Sequence, residues 1–387
     1  MTKILVNGAL GKMGRMLAAS AMETEGFEVV AGVDKYAAGA KLSFPLFERL
    51  ADCGLAADVL IDFSRPDALA ELLPYAKAQK LSLVLATTGY SKEQMDEVRA
   101  AAKEIPVFKT ANMSIGVNVL LNLAKRAAID LKGFDIEIIE RHHNTKIDAP
   151  SGTALLFADG ISDALRDRPE YVFGREGVAK REKDEIGIHA VRGGTLTGEH
   201  EIDFYGSDES VILSHHAASR RIFAIGALRA AEFITEKGPG LYDMQDLLLQ
   251  NAGVTQVRAE VGQSLVTLPD AARAAETFLK MAELGVNIDM IAQVSPGGVA
   301  FTIAEQEVEK AAAALNGAEI KTGLVKLTAA GLGMEKQCGI AAGIFGELAR
   351  LGLKPLLVTT SEIQVSILLK ADEAERAASA LHEAYRA

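Results

Sequence analysis

The chain has no tryptophan, only two cysteines and few aromatics (5%), and none of its apolar runs reaches the ~18 residues of a membrane helix. Each shortage excludes something. Cys53 and Cys338 stand far apart without metal-ligand spacing, so neither a disulfide framework nor a metal site is expected, and both read as buried thiols. Basic charge is short as well. Residues 1–250 hold 29 Lys+Arg against 36 Asp+Glu and the remainder 12 against 16, so neither part carries the field that nucleic-acid binding needs. Met1-Thr2-Lys3 leads straight into an apolar strand with no signal-peptide design, which points to a cytoplasmic protein with no membrane partner. What is present is a globular composition, 49% hydrophobic and 24% charged over 387 residues, enough for two or three domains.

Lys3-Ile4-Leu5-Val6 reads as a buried parallel strand, and Asn7-Gly8-Ala9-Leu10-Gly11-Lys12-Met13-Gly14 follows it into an alanine-rich helix. The glycine pattern alone is weak. A strand before it, a helix after it and Asp34 about 20 positions beyond make it a dinucleotide site rather than a plain turn. Glycine lets the backbone approach a pyrophosphate, whose charge sits against the helix N-terminus. Asp34 suits the ribose hydroxyls of NADH, whereas Lys35 could pair with the 2′-phosphate of NADPH, so both coenzymes stay open. Apolar strands at 59–62 and 83–86 alternate with helical stretches in βαβ fashion, which places Phe63, Thr87, Thr88, Asn112 and Met113 at the carboxyl edge of a parallel sheet. Taken alone, Phe63 would more often be core.

The densest chemistry lies in Glu137-Ile-Ile-Glu-Arg-His142-His143-Asn-Thr-Lys146-Ile-Asp148-Ala-Pro150-Ser-Gly152-Thr153-Ala154. An apolar strand runs into a loop with two imidazoles and an ammonium, and Pro-Ser-Gly-Thr-Ala then opens a helix whose free N–H groups can bind an anion. Such a loop can hold a carboxylated substrate and deliver a proton to it.

This segment resembles the signature of the dihydrodipicolinate reductase family of lysine biosynthesis. The likeness runs to about residue 250 through Phe63-Ser64-Arg65-Pro66, Thr87-Thr88-Gly89, Ala111-Asn112-Met113-Ser114 and Gly198-Glu199-His200. The resemblance implies NAD(P)H-dependent reduction of a cyclic dicarboxylate, 4-hydroxy-tetrahydrodipicolinate. It implies proton transfer involving His142 and Lys146, either of which could be the donor, and substrate contacts from His143, Gly152 and Thr153. It also implies that Gly8, Ala9, Leu10, Gly11, Lys12 and Met13 meet the pyrophosphate, and that Phe63, Ala86, Thr87, Thr88, Thr110, Ala111, Asn112 and Met113 line the nicotinamide and ribose pocket. The family's Gly-Thr-Thr is Ala86-Thr87-Thr88 here. Arg220 matches a basic position near the site, although an Arg at such a junction is more often structural. His189, His200, His215, His216 and His382 receive no catalytic assignment.

Strand-like segments at 185–192, 199–204 and 210–215 suggest a mostly antiparallel mixed sheet, the charge-dense 175–185 reads as a solvated loop, and 230–249 as a helix returning to the first domain. After Asn251 an internal repeat begins. Phe278-Leu-Lys-Met-Ala-Glu-Leu-Gly285 recurs 67 positions on as Phe345-Gly-Glu-Leu-Ala-Arg-Leu-Gly352, and each copy reads as strand, helix, strand, strand, helix. These βαββαβ units resemble tandem ACT domains in the wording of the aspartokinase regulatory region, and Asp270, Gln293, Thr360, Ser361 and Glu362 match effector-contacting positions there. The resemblance implies an amino-acid effector, lysine or threonine. Two departures bear on this: the usual Asp-Lys-Pro-Gly turn is Asp270-Ala-Ala-Arg273, and the second copy has Lys336-Gln-Cys338-Gly339.

The expected architecture is α/β: a Rossmann-type nucleotide domain (1–111 plus 220–250), an α+β mixed-sheet substrate and oligomerisation domain (112–219) and a ferredoxin-like tandem ACT domain (251–387). The expected function is a lysine-pathway reductase fused to an amino-acid-sensing region, working as a homo-oligomer, dimer or tetramer. A different dehydrogenase of related pathways, a non-catalytic sensor with a vestigial reductase half, and a tandem domain that only holds an oligomer together are the competing readings.

Overall fold

The computed structural model describes residues 1–166, 168–249, 253–294, 297–331, 334, 337 and 339–385. The chain divides into two units, Met1–Leu248 and Leu249–Ala387. Lys336 and Cys338, singled out in the second repeat, lie outside the described residues, whereas Cys53 is a free, buried thiol. Among the described residues no helix is long and apolar enough to cross a membrane.

The first unit opens with β1 (Thr2–Asn7), α1 (Lys12–Glu23), β2 (Phe27–Val33), β3 (Leu46–Phe47), β4 (Val59–Asp62), α2 (Leu69–Gln79), β5 (Ser82–Leu85), α3 (Lys92–Ala101) and β6 (Pro106–Lys109). It continues through α4 (Ile115–Asp130), β7 (Asp135–His142), α5 (Gly152–Leu165), β8 (Glu170–Phe173), β9 (Glu185–Arg192), β10 (Glu199–Tyr205) and β11 (Ser210–His216). It closes with α6 (Arg221–Thr235), β12 (Gly240–Tyr242) and α7 (Met244–Leu249). The return segment is thus a helix that starts earlier than expected and stops at Thr235, followed by a strand and a short helix. Gly238-Pro239-Gly240 explains the break, since proline and glycine do not continue a helix.

Seven parallel strands form the first sheet in the order β12-β6-β5-β4-β1-β2-β3. Both faces are covered, one by α1 and α6 around Leu17, Ala227 and Phe108, the other by α2 and α3 around Leu72, Leu83 and Val98. Burial on both faces is why β1, β4 and β5 read as unbroken apolar runs. The strand order reverses between β1 and β4, and ligands bind at such a switch point.

The second sheet has the order β11-β10-β7-β9-β8. Its β11–β10 and β10–β7 pairs are antiparallel, but β7–β9 and β9–β8 are parallel, so the expectation of a mostly antiparallel sheet is corrected to an even mixture. Helices α4 and α5 cover one face through Leu121, Phe157 and Ile161 against Ile138, Ile188 and Phe204. The 175–185 segment is also less free than its charge suggested. Arg175 bridges Glu137 at 2.8 Å and Glu185 at 2.7 Å, and Arg181 reaches Asp135 at 2.9 Å, so the charges of β7 hold this segment to the sheet.

The second unit runs β13 (Gln256–Leu268), α8 (Ala274–Glu283), β14 (Ile291–Val294), β15 (Gly298–Ala304), α9 (Val308–Ala311), β16 (Glu319–Ala330), α10 (Ile340–Arg350), β17 (Leu357–Thr360), β18 (Gln364–Lys370) and α11 (Ala371–Tyr385). Among the described residues, six strands join one antiparallel sheet, β14-β15-β13-β16-β18-β17. The two long central strands are each shared. The later half of β13 begins the first repeat and its earlier half pairs beside the second, while β16 does the converse. Each repeat therefore has its four strands only because the other lends one. The bulges where the strands change partner hold Gly262 (φ 70°) and Gly323 (φ 69°), a backbone region that favours glycine. The repeat helices α8 and α10 carry Phe278 and Phe345 at equivalent places.

Candidate active site

Strand period decides which side chains of β7 meet the helices. Ile136, Ile138, Glu140 and His142 alternate onto the covered face, so the first two fill the core and the last two reach the N-terminus of α5. Glu140 is fully buried. Arg192, beside His142 in β9, donates Nη1–H to Glu140 Oε2 and Nη2–H to Oε1, both at 2.7 Å. The Ser151 N–H reaches Oε1 at 2.9 Å, and His142 Nδ1 lies 2.6 Å from Oε2. Burial works to raise the Glu140 carboxyl, but the hydrogen bonds from Arg192, His142 and Ser151 outweigh it and hold the group below the usual range. An ionised carboxylate only accepts, so His142 carries its proton on Nδ1 and turns Nε2 towards Gly198.

Burial pushes His142 below its ordinary value, with Glu140 opposing and the charges of Lys146 and Arg192 assisting. His200 of β10 lies edge-on to it, ring centroids 5.2 Å apart. Burial, then the neighbouring His142, pushes His200 down to about 3, so it stays neutral. Its Nε2 is 3.0 Å from Ser151 Oγ, which also caps α5 by accepting the Ala154 N–H at 3.1 Å.

Around this pair opens a cleft of about 570 Å³ whose walls include His142, His143, Lys146, Gly152, Thr153, Thr88 and Ala111. The residues singled out for catalysis and substrate contact thus converge. Lys146 Nζ donates to both oxygens of Asp148 at 2.8 Å, and that bond is the main cause of the lowered Asp148 carboxyl. Arg220 also lines the cleft, donating to His143 Nε2 at 3.2 Å, which leaves the His143 proton on Nδ1 facing Thr145 Oγ1 at 2.7 Å. Thr153 Oγ1 accepts from Asn112 Nδ2 at 3.0 Å and ties α5 to the loop after β6. Lys109 adds a second ammonium, its value lowered by burial against the pull of Asp62.

The nucleotide positions divide between two neighbouring cavities. Gly8, Leu10, Gly11, Asp34, Lys35 and Phe63 line a cleft of about 450 Å³ at the switch point. Met13, Phe63, Ala86, Thr88, Asn112 and Met113 line a smaller one of about 250 Å³, with Ala111 in its wall and in that of the His142 cleft. Shared walls join the three in series. Ala9 is buried in the core, Lys12 is exposed on the first turn of α1, Thr87 is buried, and the Thr110 hydroxyl bonds the Asn112 backbone. A Cβ on Gly8 would meet Phe63 O at 2.7 Å and one on Gly14 would meet Gly8 O at 2.2 Å, so only glycine permits this turn. Helix α1 has neither a side-chain cap nor an acid in its first turn, which leaves its N–H groups open to a pyrophosphate. The residues present fit a dinucleotide.

Sequence reasoning missed Glu140, Arg192, Ser151, His200 and Lys109. Glu140 could have been found, because it sits two residues before His142 on the same strand face. Arg192 carries no local signal and reaches the site only through sheet pairing, whereas His200 lies in the Gly198-Glu199-His200 segment of the resemblance and was given no role.

Residues 2–113 match the family model for the dihydrodipicolinate reductase N-terminus and residues 116–248 that for its C-terminus. The 4-hydroxy-tetrahydrodipicolinate reductase of Clostridium novyi (strain NT) is 50% identical over 249 residues, 64% of this chain and 98% of that protein. The chain belongs to the dihydrodipicolinate reductase family. It is accordingly an oxidoreductase, and its first sheet is the nucleotide-binding domain of a family that uses NAD(P)H. A dipicolinate-bound dihydrodipicolinate reductase from Paenisporosarcina sp. TG-14 overlaps 63% of this chain and 97% of its own at 26% identity, with a TM-score of 0.54. Residues 327–385 match an ACT domain model. The second unit is also similar to the regulatory subunit of aspartate kinase from Thermus thermophilus, at 27% identity over 34% of this chain and 97% of that one, with a TM-score of 0.32. Its assignment rests instead on the ACT model and its own strand order.

The five positions expected from the resemblance to contact an effector are all exposed. Asp270 Oδ1 accepts the Ala272 N–H at 2.9 Å and caps a short 3₁₀ turn, so the chain still turns here without the missing proline and glycine. Gln293 lies on β14, and Thr360 ends β17 just before Ser361 and Glu362.

Proposed function

We propose that this chain reduces 4-hydroxy-tetrahydrodipicolinate to tetrahydrodipicolinate with NAD(P)H, and that the 142–153 loop carries the chemistry. The observation behind this reading is the single cleft in which His142, Lys146 and the N-terminus of α5 converge, sharing Thr88 and Ala111 with the adjoining nucleotide cavity. The cofactor, when bound, supplies the hydride. His142 Nε2 delivers the proton with which the 4-hydroxyl leaves as water. Lys146, committed to Asp148 in the free enzyme, exchanges that partner for a substrate carboxylate, and the Gly152 and Thr153 N–H groups take the other. Dipicolinate, a planar dicarboxylate, tests this by titration calorimetry with coenzyme present. Binding that weakens at least tenfold (~1.4 kcal/mol) in Lys146→Ala supports the assignment, and unchanged binding removes it.

The charge of the nucleotide cleft favours NADH. Asp34, Glu48, Asp67 and Glu71 line the cleft against Lys35 and Arg65, and Arg65 already lies 3.5 Å from Asp67. A 2′-phosphate would enter a net negative wall. NADH is expected to bind about tenfold more tightly than NADPH, ~1.4 kcal/mol, as read from the fluorescence of the reduced coenzyme; tighter NADPH would sink the argument.

We also infer that the second unit senses an amino acid, lysine, the end product of the route in which the family works. The ACT match and the interlaced repeats support a sensing unit. Inhibition requires that lysine bind two global states differently. Turnover is expected to fall as L-lysine is titrated in. A flat response would reduce the unit to assembly or to another effector.

A further inference from the structure

One carboxylate connects everything the candidate site has to align. Glu140 holds the His142 ring through Nδ1, holds the start of α5 through the Ser151 N–H, and is itself held by both arms of Arg192. Arg192 in turn donates from Nη2 to Asp148 O at 2.6 Å, in the loop that carries Lys146. The proton donor, the anion-binding helix end and the ammonium loop thus share a single buried anchor. Glu140 is fully buried, so no substrate reaches it and its action must pass through the groups it grips. A charge this enclosed is costly unless it is paired, and each of its oxygens here has two donors.

We propose that Glu140 is the positioning residue of the reaction: by accepting Nδ1–H it fixes the His142 tautomer and ring plane so that Nε2, on the Gly198 side of the ring, is the nitrogen left for the substrate in the cleft that His142 lines, and through Ser151 it sets the helix end that binds the substrate carboxylate in register with that nitrogen. The proposal rests on the reading of His142 as proton donor. It assigns Arg192 as the counter-ion that keeps the anchor in place.

The electrostatic consequence has a definite sign. The groups facing His142 are Glu140 on its own strand, Arg192 on β9, His200 on β10 and Lys146 in the following loop, with His215 of β11 next to His200. Burial, Lys146 and Arg192 all disfavour the imidazolium, and only Glu140 opposes them. A donor imidazolium loses its proton as pH rises, so the rate falls on that limb. Without the Glu140 charge the limb moves to lower pH.

The experiment compares Glu140→Gln, Glu140→Asp and His142→Ala with the parent, full chain, in steady state across pH. For Glu140→Gln the expected result is a fall in kcat on the order of 100-fold with little change in KM, a limb displaced to lower pH, and partial recovery in Glu140→Asp. A kcat within about threefold of the parent, less than ~1 kcal/mol in barrier, with the limb unmoved overturns the proposal. If His142→Ala is inactive while Glu140→Gln is not, only this proposal fails; if His142→Ala keeps its rate, the donor assignment itself fails. Should Glu140→Gln not fold, ¹⁵N-histidine spectra of the parent decide the matter. A neutral His142 with its proton on Nδ1 is expected, and the opposite tautomer overturns the anchor.

Discussion

Replacing His142 by alanine is expected to lower kcat by about 10²- to 10⁴-fold, the usual contribution of a general acid, while coenzyme affinity stays unchanged. Two features make the loss specific. The imidazole is mostly buried and its Nδ1 is committed to Glu140, so no solvent proton source replaces Nε2 at the same place. The neighbouring His200 cannot substitute, because burial keeps it neutral and its Nε2 faces Ser151 Oγ. Coenzyme binding is spared because the glycine turn, Asp34 and Phe63 line a different cleft. Stopped-flow mixing with NADH alone separates the two effects. A His142→Ala enzyme that turns over at the parental rate would assign the proton to Lys146 or to water.

Arg192→Ala should cost about 3–5 kcal/mol of folding stability, because it leaves a buried carboxylate without its counter-charge. Surface ion pairs are worth far less, with a median of roughly 0–1 kcal/mol. The distinction lies in the partner: Glu140 is fully buried and takes both guanidinium nitrogens at 2.7 Å. The loss should depend on pH. Glu140 is held below its unfolded value, so the pair's contribution is present above that value, ~4.3, and disappears as pH falls through the folded one. The stability gap between parent and variant, read from urea midpoints, should therefore narrow in acid. A gap under about 1 kcal/mol at pH 7 would mean that water or a neighbouring group solvates Glu140 as well as Arg192 does.

What the sequence made legible follows from how local each signal is. The glycine turn, its flanking strand and helix, and Asp34 lie within one βαβ span, and the structure places them on one switch point. The β7 strand and the α5 cap are equally local, which is why His142, Lys146 and Thr153 could be named before the fold was known. Short edge strands such as β3 and β8 have too few residues to show a period. The mixture of parallel and antiparallel pairs around β7 depends on where β9 and β10 dock. The support of the site was the least visible part, since Arg192 is 52 residues from Glu140 and His200 is 49 from Ser151. The repeats of the second unit were legible as repeats, but the lending of β13 and β16 between them was not, because strand pairing over such separations leaves no mark in local composition.

The most direct measurement is NADH oxidation by the purified protein, with substrate generated in situ from pyruvate and aspartate semialdehyde. The expected result is coenzyme oxidation that requires both precursors and falls at least about 100-fold in His142→Ala. Absence of oxidation with either NADH or NADPH, in a protein that still binds the coenzyme, would contradict it and leave the first unit a binding module without this chemistry.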